Sequence, residues 1–286
     1  MANTETPIRR LTFSEAAAAQ PLSIEAGWNQ VGADWRFMLE AGTAFGVDLP
    51  DGRLGASALV LPVGEHLRWI SMVLVTADLR RKGVGTDLLR RCIAEAEQGG
   101  YAMGLDATEL GRPVYLPLGF CDLYRISRWR LERKPTPVSP PSGLRIKPLT
   151  AEALELLLEW DSERSGLQRR AILCHLRDRQ PGMALLAERN GKTVGFVLGR
   201  EGRLATQIGP LVADDDEAAL ALLQAAVQAA PAPYFIDVPD SRMQMRAWLE
   251  SQGASAPRYF IRMVRGEATQ IESAGKIYAI GGPELA

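Results

Sequence analysis

The stretch Val73-Leu-Val-Thr-Ala-Asp-Leu-Arg-Arg-Lys-Gly-Val-Gly-Thr-Asp-Leu88 combines residue types that bind an anion. It reads as an apolar strand, a short connection and a glycine-containing turn that opens a helix. A helix start leaves about four amide N–H groups without partners, and the macrodipole puts partial positive charge there, so phosphate is a natural ligand. Gly83 and Gly85 lack a Cβ and let a ligand approach the backbone, while Arg80, Arg81 and Lys82 add positive charge beside it. A P-loop would need Gly-Lys-Ser/Thr, and the dinucleotide fingerprint would need a third glycine where Leu88 stands. An ordinary helix-initiating turn is the alternative that these residues alone leave open.

Other chemistries have less to stand on. Cys92, Cys121 and Cys174 are too few and too scattered for a disulfide framework or a CxxC site, and with only two histidines no metal centre is expected. No Gly-x-Ser-x-Gly turn surrounds a serine, and His66 and His175 read as ordinary surface or core residues.

The elements around the turn come from periodicity. Ile8 to Leu11 is an opening strand, and Phe13 to Leu39 is helical with breaks at Pro21 and Gly27. Strands at 43–47, 54–61 and 67–75 follow, with Asp51-Gly52 as a hairpin turn. Val84, Leu88, Leu89, Cys92 and Ile93 recur at spacings of three and four, which predicts an amphipathic helix that stops at Gly99-Gly100. A strand at 102–106, a short helix at 111–118 and a strand at 120–131 complete this half.

Lys134-Pro-Thr-Pro-Val-Ser-Pro-Pro-Ser-Gly143 then forms a stiff polar connector. Beyond it the same order recurs: a strand at 144–149, helices at 151–164 and 167–177, and strands flanking Asn190-Gly191. Next come a strand ending near Val212, a helix at 215–229, a strand at 234–238, a helix at 241–252 and a strand at 258–264. The division expected is 1–134, a Pro-rich linker 135–143 and 144–286, each large part a mixed α/β unit.

Arg80-x-x-Gly83-x-Gly85 after an apolar strand, with Tyr115-Leu-Pro-Leu-Gly-Phe120 about 30 residues later, resembles the acetyl-CoA motif and the Tyr-x-x-x-Gly-Phe segment of the GNAT N-acetyltransferases. That likeness covers residues 8–131. Gly27-Trp-Asn-Gln30, Leu105-Asp-Ala-Thr108, Gly209-Pro-Leu-Val212 and Ile277-Tyr-Ala-Ile280 more narrowly resemble two-domain GNAT proteins of the YitH and holothin-acyltransferase-like group. The resemblance implies tandem domains, each a mixed, mostly antiparallel sheet flanked by helices.

It further implies a V-shaped opening between the strand ending near Val75 and that ending near Asp106, into which a pantetheine arm inserts. Backbone groups of Met72, Val73 and Val75 would hold the arm, and amides of Arg81, Lys82, Gly83, Val84, Gly85 and Thr86 the pyrophosphate. An amine would attack the thioester directly. Tyr115 occupies the position of the proton donor to the departing sulfur, its alternative being a tyrosine packed against the sheet. The strand at 67–73, where many members place a carboxylate base, has none. Water-mediated deprotonation or a carboxylate from elsewhere takes its place; Asp106 is the leading candidate, with a capping or turn role open to it, and Glu40 and Asp34 stand behind it. Trp28, Asn29 and Gln30 are candidates to line the acceptor pocket, with core packing the alternative for the tryptophan.

In the second half the phosphate turn is replaced by Gly209-Pro-Leu-Val-Ala-Asp-Asp-Asp-Glu217, whose four consecutive carboxylates would repel a diphosphate, and Leu249 stands where the tyrosine would be. A degenerate domain is expected there, shaping the acceptor site or fixing the arrangement of domains. Asp161, Arg164 and Arg169 lie on its helices, as solvated surface or facing the cleft.

Composition fits a globular protein. Of 286 residues 47% are hydrophobic, and 33 basic against 34 acidic residues leave a net charge of −1, without the basic excess of a nucleic-acid binder. No run reaches the roughly 18 apolar residues of a membrane span, and the first 19 residues lack a signal peptide's apolar segment, so a cytoplasmic location is expected. The function expected is an acetyl-CoA-dependent, metal-free transfer to a small-molecule amine. A non-catalytic acyl-CoA-binding module is the alternative, and a homodimer is left open.

Overall fold

The computed structural model describes residues 7–267 and 274–286. The first half runs β1 (Arg9–Leu11), α1 (Ala16–Glu25), α2 (Gly32–Ala41), β2 (Thr43–Asp48), β3 (Leu54–Val63), β4 (Leu67–Val75), α3 (Val84–Glu97), β5 (Ala102–Ala107), α4 (Arg112–Tyr115) and β6 (Cys121–Leu131). After residues 132–143, which hold neither helix nor strand, come β7 (Leu144–Pro148), α5 (Ala151–Ser165), α6 (Arg170–Arg179), β8 (Leu185–Arg189), β9 (Lys192–Arg200) and β10 (Thr206–Ala213). The chain closes with α7 (Asp216–Ala229), β11 (Tyr234–Pro239), α8 (Met243–Ser251), β12 (Ser255–Arg265) and β13 (Ile277–Ala279). The mixed, mostly antiparallel α/β plan read from the sequence is thus present in both halves, and no described helix is long and apolar enough to cross a membrane.

Burial explains why these segments hold. Helices cover both faces of β3, which is buried along nearly its whole length, so it reads as a continuous apolar run rather than an alternation. On one side α3 lays Val84, Leu88, Leu89, Cys92, Ile93 and Ala96 onto Phe45, Val60 and Ile70. On the other, α1 and α2 bring Leu22, Trp35 and Met38 against Leu59 and Trp69. Each fully buried leucine or isoleucine here is worth about 1.5–3 kcal/mol. That packing carries α1 straight through Pro21, where a break was expected: Ala19, Leu22 and Ser23 are buried around the lost backbone bond.

Among the described residues the two halves share one thirteen-stranded sheet, ordered β1-β2-β3-β4-β5-β12-β6-β11-β10-β9-β8-β7 with β13 beside β10. Their final strands are exchanged. β12, from the second half, pairs antiparallel with β5 (Arg262 opposite Asp106) and with β6, while β6 pairs antiparallel with β11 (Arg128 opposite Asp237). Nothing in the periodicity of either strand distinguishes an inside partner from an outside one.

Two parallel pairs interrupt the antiparallel ladder. β4 and β5 are in register only over Leu67 to Trp69 and Ala102 to Gly104, and then part. The equivalent strands β10 and β11 are in register only over Thr206 to Ile208 and Tyr234 to Ile236. The first split is open. Into the second runs β13, which pairs antiparallel with β10 and is continued by a bridge between Asp237 and Ile280.

Candidate active site

The glycine turn has the geometry its composition suggested. Arg81 and Gly83 both adopt left-handed backbone, φ 60° and 84°, and Gly83 caps α3. A Cβ on Gly83 would meet only Asp87 Oδ2 at 3.9 Å, so it is φ rather than crowding that favours glycine. Gly85 lies against β4, where a Cβ would come within 3.3 Å of Val75 Cγ2. The Asp87 amide makes the first bond of the helix, 3.0 Å to the Gly83 carbonyl, and no side chain caps the turn. The amides of Val84, Gly85 and Thr86 therefore have no intrahelical acceptor.

Arg80 is held rather than free. Its Nε donates to the Val75 carbonyl and its Nη2 to Glu25, each at 2.9 Å. Glu25 also accepts from the Thr76 hydroxyl at 2.6 Å and the Ala77 amide at 2.9 Å. The Thr76 bond above all holds the Glu25 carboxyl below its usual range. Glu25 sits fifty residues upstream, and no motif marks it as the clip that fixes this loop.

From the turn a cleft of about 530 Å³ runs inward along the split between β4 and β5, past Val73, Val75 and Arg81 to Trp28, Thr108 and Tyr115. Lys82 is exposed and does not line it. A bulge in β4 shapes the wall. Ser57 opposes Leu74 while Leu59 opposes Ser71, leaving Met72 and Val73 against one residue of β3, with Met72 at φ 51°. The Ser57 hydroxyl donates to the Met72 carbonyl at 2.8 Å. A bulge of this kind re-aims backbone toward a ligand at the cost of ladder bonds.

Tyr115 ends α4 with its ring edge-on to Phe120, centroids 6.1 Å apart, and its hydroxyl makes no hydrogen bond among the described residues. Desolvation pushes the phenol up to about 12, so it keeps its proton throughout the neutral range. Such a group can protonate a thiolate that forms beside it.

Beyond Tyr115 the cleft narrows to an inner pocket of about 40 Å³, lined among others by Trp28, Gln30, Ser71, Asp106, Phe260 and Glu284. Asp106 is here, and its carboxylate is already engaged. Both its oxygens accept from Arg262 of the exchanged β12, at 2.9 Å each, and neither side chain has any exposure. Burial pushes the Asp106 carboxyl above its usual range while Arg262 pulls the other way. The pair is structural first, closing β12 onto β5 between the halves, and Tyr124 adds its hydroxyl to Arg262 at 3.2 Å.

The expected acceptor triplet divides. Trp28 and Gln30 line the pocket, whereas Asn29 does not: its carbonyl accepts from the Leu204 and Ala205 amides at 2.9 and 3.1 Å, and its amide donates to the Ala205 carbonyl at 3.0 Å. Asn29 fastens the two halves together. Asp34 is likewise engaged, by Arg200 at 2.7 Å and by Arg179. Asp161 and Arg169 form a buried pair at 2.9–3.0 Å, neither solvated nor in the cleft, and Arg164 reaches Asp214 at 2.8 Å. His175 stacks on Phe37 with centroids 4.0 Å apart, and burial lowers it to about 4.

In the second half, Asp215 caps α7 by accepting from Ala218 at 2.9 Å, and Arg189 reaches both Asp215 and Glu217. The acidic run is committed to its own helix start. β13 fills the split that remains, and it approaches so closely that a Cβ on Gly209 would lie 2.0 Å from the Ile280 carbonyl. Leu249 is buried on α8.

A sheet opened at one parallel pair, with anion-ready amides at its mouth and a protonated phenol deeper in, is the build of an acyltransferase. A sequence profile of the Acetyltransferase (GNAT) family matches residues 11–120, and one of the Acetyltransferase (GNAT) domain matches 157–279. The chain belongs to the GNAT acetyltransferase family, as a tandem member. It is similar to Uncharacterized N-acetyltransferase YitH of Bacillus subtilis, 21% identical over 230 residues and 80% of each chain. In fold it is similar to a Pyrococcus horikoshii protein described as an acetyltransferase, at TM-score 0.82 and 21% identity, covering 100% of this chain and 98% of that one. A tandem GNAT protein from the clavulanic acid biosynthesis pathway aligns at TM-score 0.65 and 14% identity, over 90% and 97%.

Proposed function

We propose that the chain is an acetyl-CoA-dependent N-acetyltransferase whose acceptor is the amine of a small molecule, with chemistry confined to the split between β4 and β5. The observation that carries this reading is that one cleft joins the unpaired amides of Val84, Gly85 and Thr86 to the phenol of Tyr115. These amides, with Arg81 at the mouth, suit the diphosphate of coenzyme A, and the bulged backbone at Met72 and Val73 suits the pantetheine arm. Tyr115 then supplies the proton that the leaving sulfur takes up as the amine nitrogen bonds to the acyl carbon. With β13 occupying the other split, one cofactor molecule per chain is expected.

Purified protein incubated with acetyl-CoA and a panel of amines, with free thiol measured, should show acceptor-dependent release; background rates with every acceptor refute the activity. The engagement of Asp106 by Arg262 favours a second reading, a non-catalytic acyl-CoA-binding module. Tight acetyl-CoA binding without turnover selects it, and a Tyr115→Phe variant with selectively reduced turnover excludes it.

A further inference from the structure

The inner pocket contains three buried polar atoms that have no hydrogen-bond partner among the described residues: Gln30 Oε1, Ser71 Oγ and Glu284 Oε2. Their residues are 2%, 8% and 2% exposed. Buried polar atoms are nearly always satisfied, so three orphans around one pocket of about 40 Å³ mark a place built for a ligand. The volume suits a small head group, since roughly 10–15 Å³ holds a water. Two of the three atoms can only accept and the hydroxyl can do so, and the carboxylate brings negative charge. The matching group is a primary ammonium, with three N–H donors and one positive charge.

Glu284 is fixed for such a task. Its Oε1 is bound by Arg200, whose Nε holds Asp34 at 2.7 Å and whose Nη1 donates to the Gly281 carbonyl at 3.2 Å. Trp69 Nε1 donates to the neighbouring Pro283 carbonyl at 2.8 Å. Of the three other charged side chains on the pocket wall, two are paired within the protein. Asp106 is paired with Arg262, Arg128 is paired with Asp237 at 2.7 Å, and Arg258 is exposed. Glu284 Oε2 is thus the carboxylate oxygen of this pocket left without a cation.

Resting on the reading under Proposed function, we infer that Glu284 binds the acceptor ammonium and takes its proton, with Gln30 and Ser71 completing the cradle. The carboxylate accepts one proton from RNH3+, and the neutral amine nitrogen bonds to the thioester carbonyl carbon. The C–S bond breaks, and sulfur receives a proton from Tyr115. The nitrogen's second proton restores the phenol, and Glu284 returns its own to solvent, so amide, thiol and one H+ leave. The base missing from β4 is then supplied by residues 281–286, which the second half delivers to the first half's cleft.

The test uses the full chain with two readouts. First, Glu284→Gln keeps the acceptor for Arg200 but not the base. At pH 7.5 its turnover with an alkylamine should fall at least 100-fold and recover as pH rises toward the amine's own pKa, with acetyl-CoA affinity by calorimetry unchanged. Gln30→Leu should raise the amine KM at least tenfold with a smaller change in kcat. A loss of turnover in Glu284→Gln that is flat with pH, or wild-type turnover retained, overturns the assignment. Second, crystals holding CoA and soaked in n-butylamine should place its nitrogen within hydrogen-bond distance of Glu284, Gln30 and Ser71; nitrogen elsewhere overturns the cradle. If the wild type turns over no amine, the proposed activity falls, and the soaked crystal still decides the ammonium site.

Discussion

Removing the charge of Asp106 separates a structural carboxylate from a catalytic one. Asp106 and Arg262 are wholly buried and joined by two bonds of 2.9 Å, so Asp106→Asn leaves a guanidinium in the interior with no anion to meet it, only the Tyr124 hydroxyl, the Trp69 ring and one amide oxygen. Breaking a buried pair from one side costs about 3–5 kcal/mol, a large share of the roughly 5–15 kcal/mol by which a typical domain is stable. Replacing both partners with apolar residues of similar volume is often close to neutral. Asp106→Asn should therefore lower the urea midpoint steeply, and Asp106→Leu with Arg262→Met should recover most of the loss. The coupling energy of the cycle is expected above about 2 kcal/mol, in the range found for contacting residues. Residual thiol release in the double variant, measured under folding conditions, should remain within tenfold of the wild type. The reasoning is refuted if Asp106→Asn loses less than about 1 kcal/mol yet abolishes turnover, for then Asp106 is the base.

Gly83→Asp imposes a side chain on a φ of 84° and a negative charge beside the unpaired amides, and calorimetry should show acetyl-CoA affinity reduced at least tenfold. Tyr115→Phe should lower kcat by about 10²–10³ with little change in the KM for acetyl-CoA, and the wild-type kcat should show no alkaline fall from this phenol below pH 10, since it titrates near 12. Calorimetry should also give one acetyl-CoA per chain, and at 100 times its Kd the ligand should add about 2.7 kcal/mol of stability. His175 has its folded pKa lowered to about 4 from 6.5, so the unfolded chain binds its proton first. Stability should fall as pH drops from about 6.5 toward 4, and His175→Asn should flatten that slope in urea titrations.

The sequence is most legible where local pattern decides structure. The 3- and 4-residue spacing from Val84 to Ile93 defines α3, and Gly83 with Gly85 marks its mouth, because conformational freedom and helix ends are local properties. Tyr115 came with its segment. What stayed hidden depends on partners far along the chain. Asp106 at a strand end gives no sign that Arg262, 156 residues on, will claim it, and Asn29 none that residues 204–205 will saturate its amide. β13 is only three residues long, too short for any periodicity, although Ile277-Tyr-Ala-Ile280 resembles a family signature. Glu284 carries no motif; only the pocket shows that one of its oxygens is unmatched.

The exchange of β6 and β12 makes the linker a tether more than a boundary. Each half on its own would lack its last strand or present it with no neighbour, baring a long sheet edge of the kind that aggregates. Joined by residues 132–143, the strands meet at the high effective concentration that a short connection provides. The arrangement is what a strand-swapped dimer becomes when its two copies are fused head to tail. A protease nick within the Pro-rich segment would then release no free domain, only a two-chain particle that migrates as one.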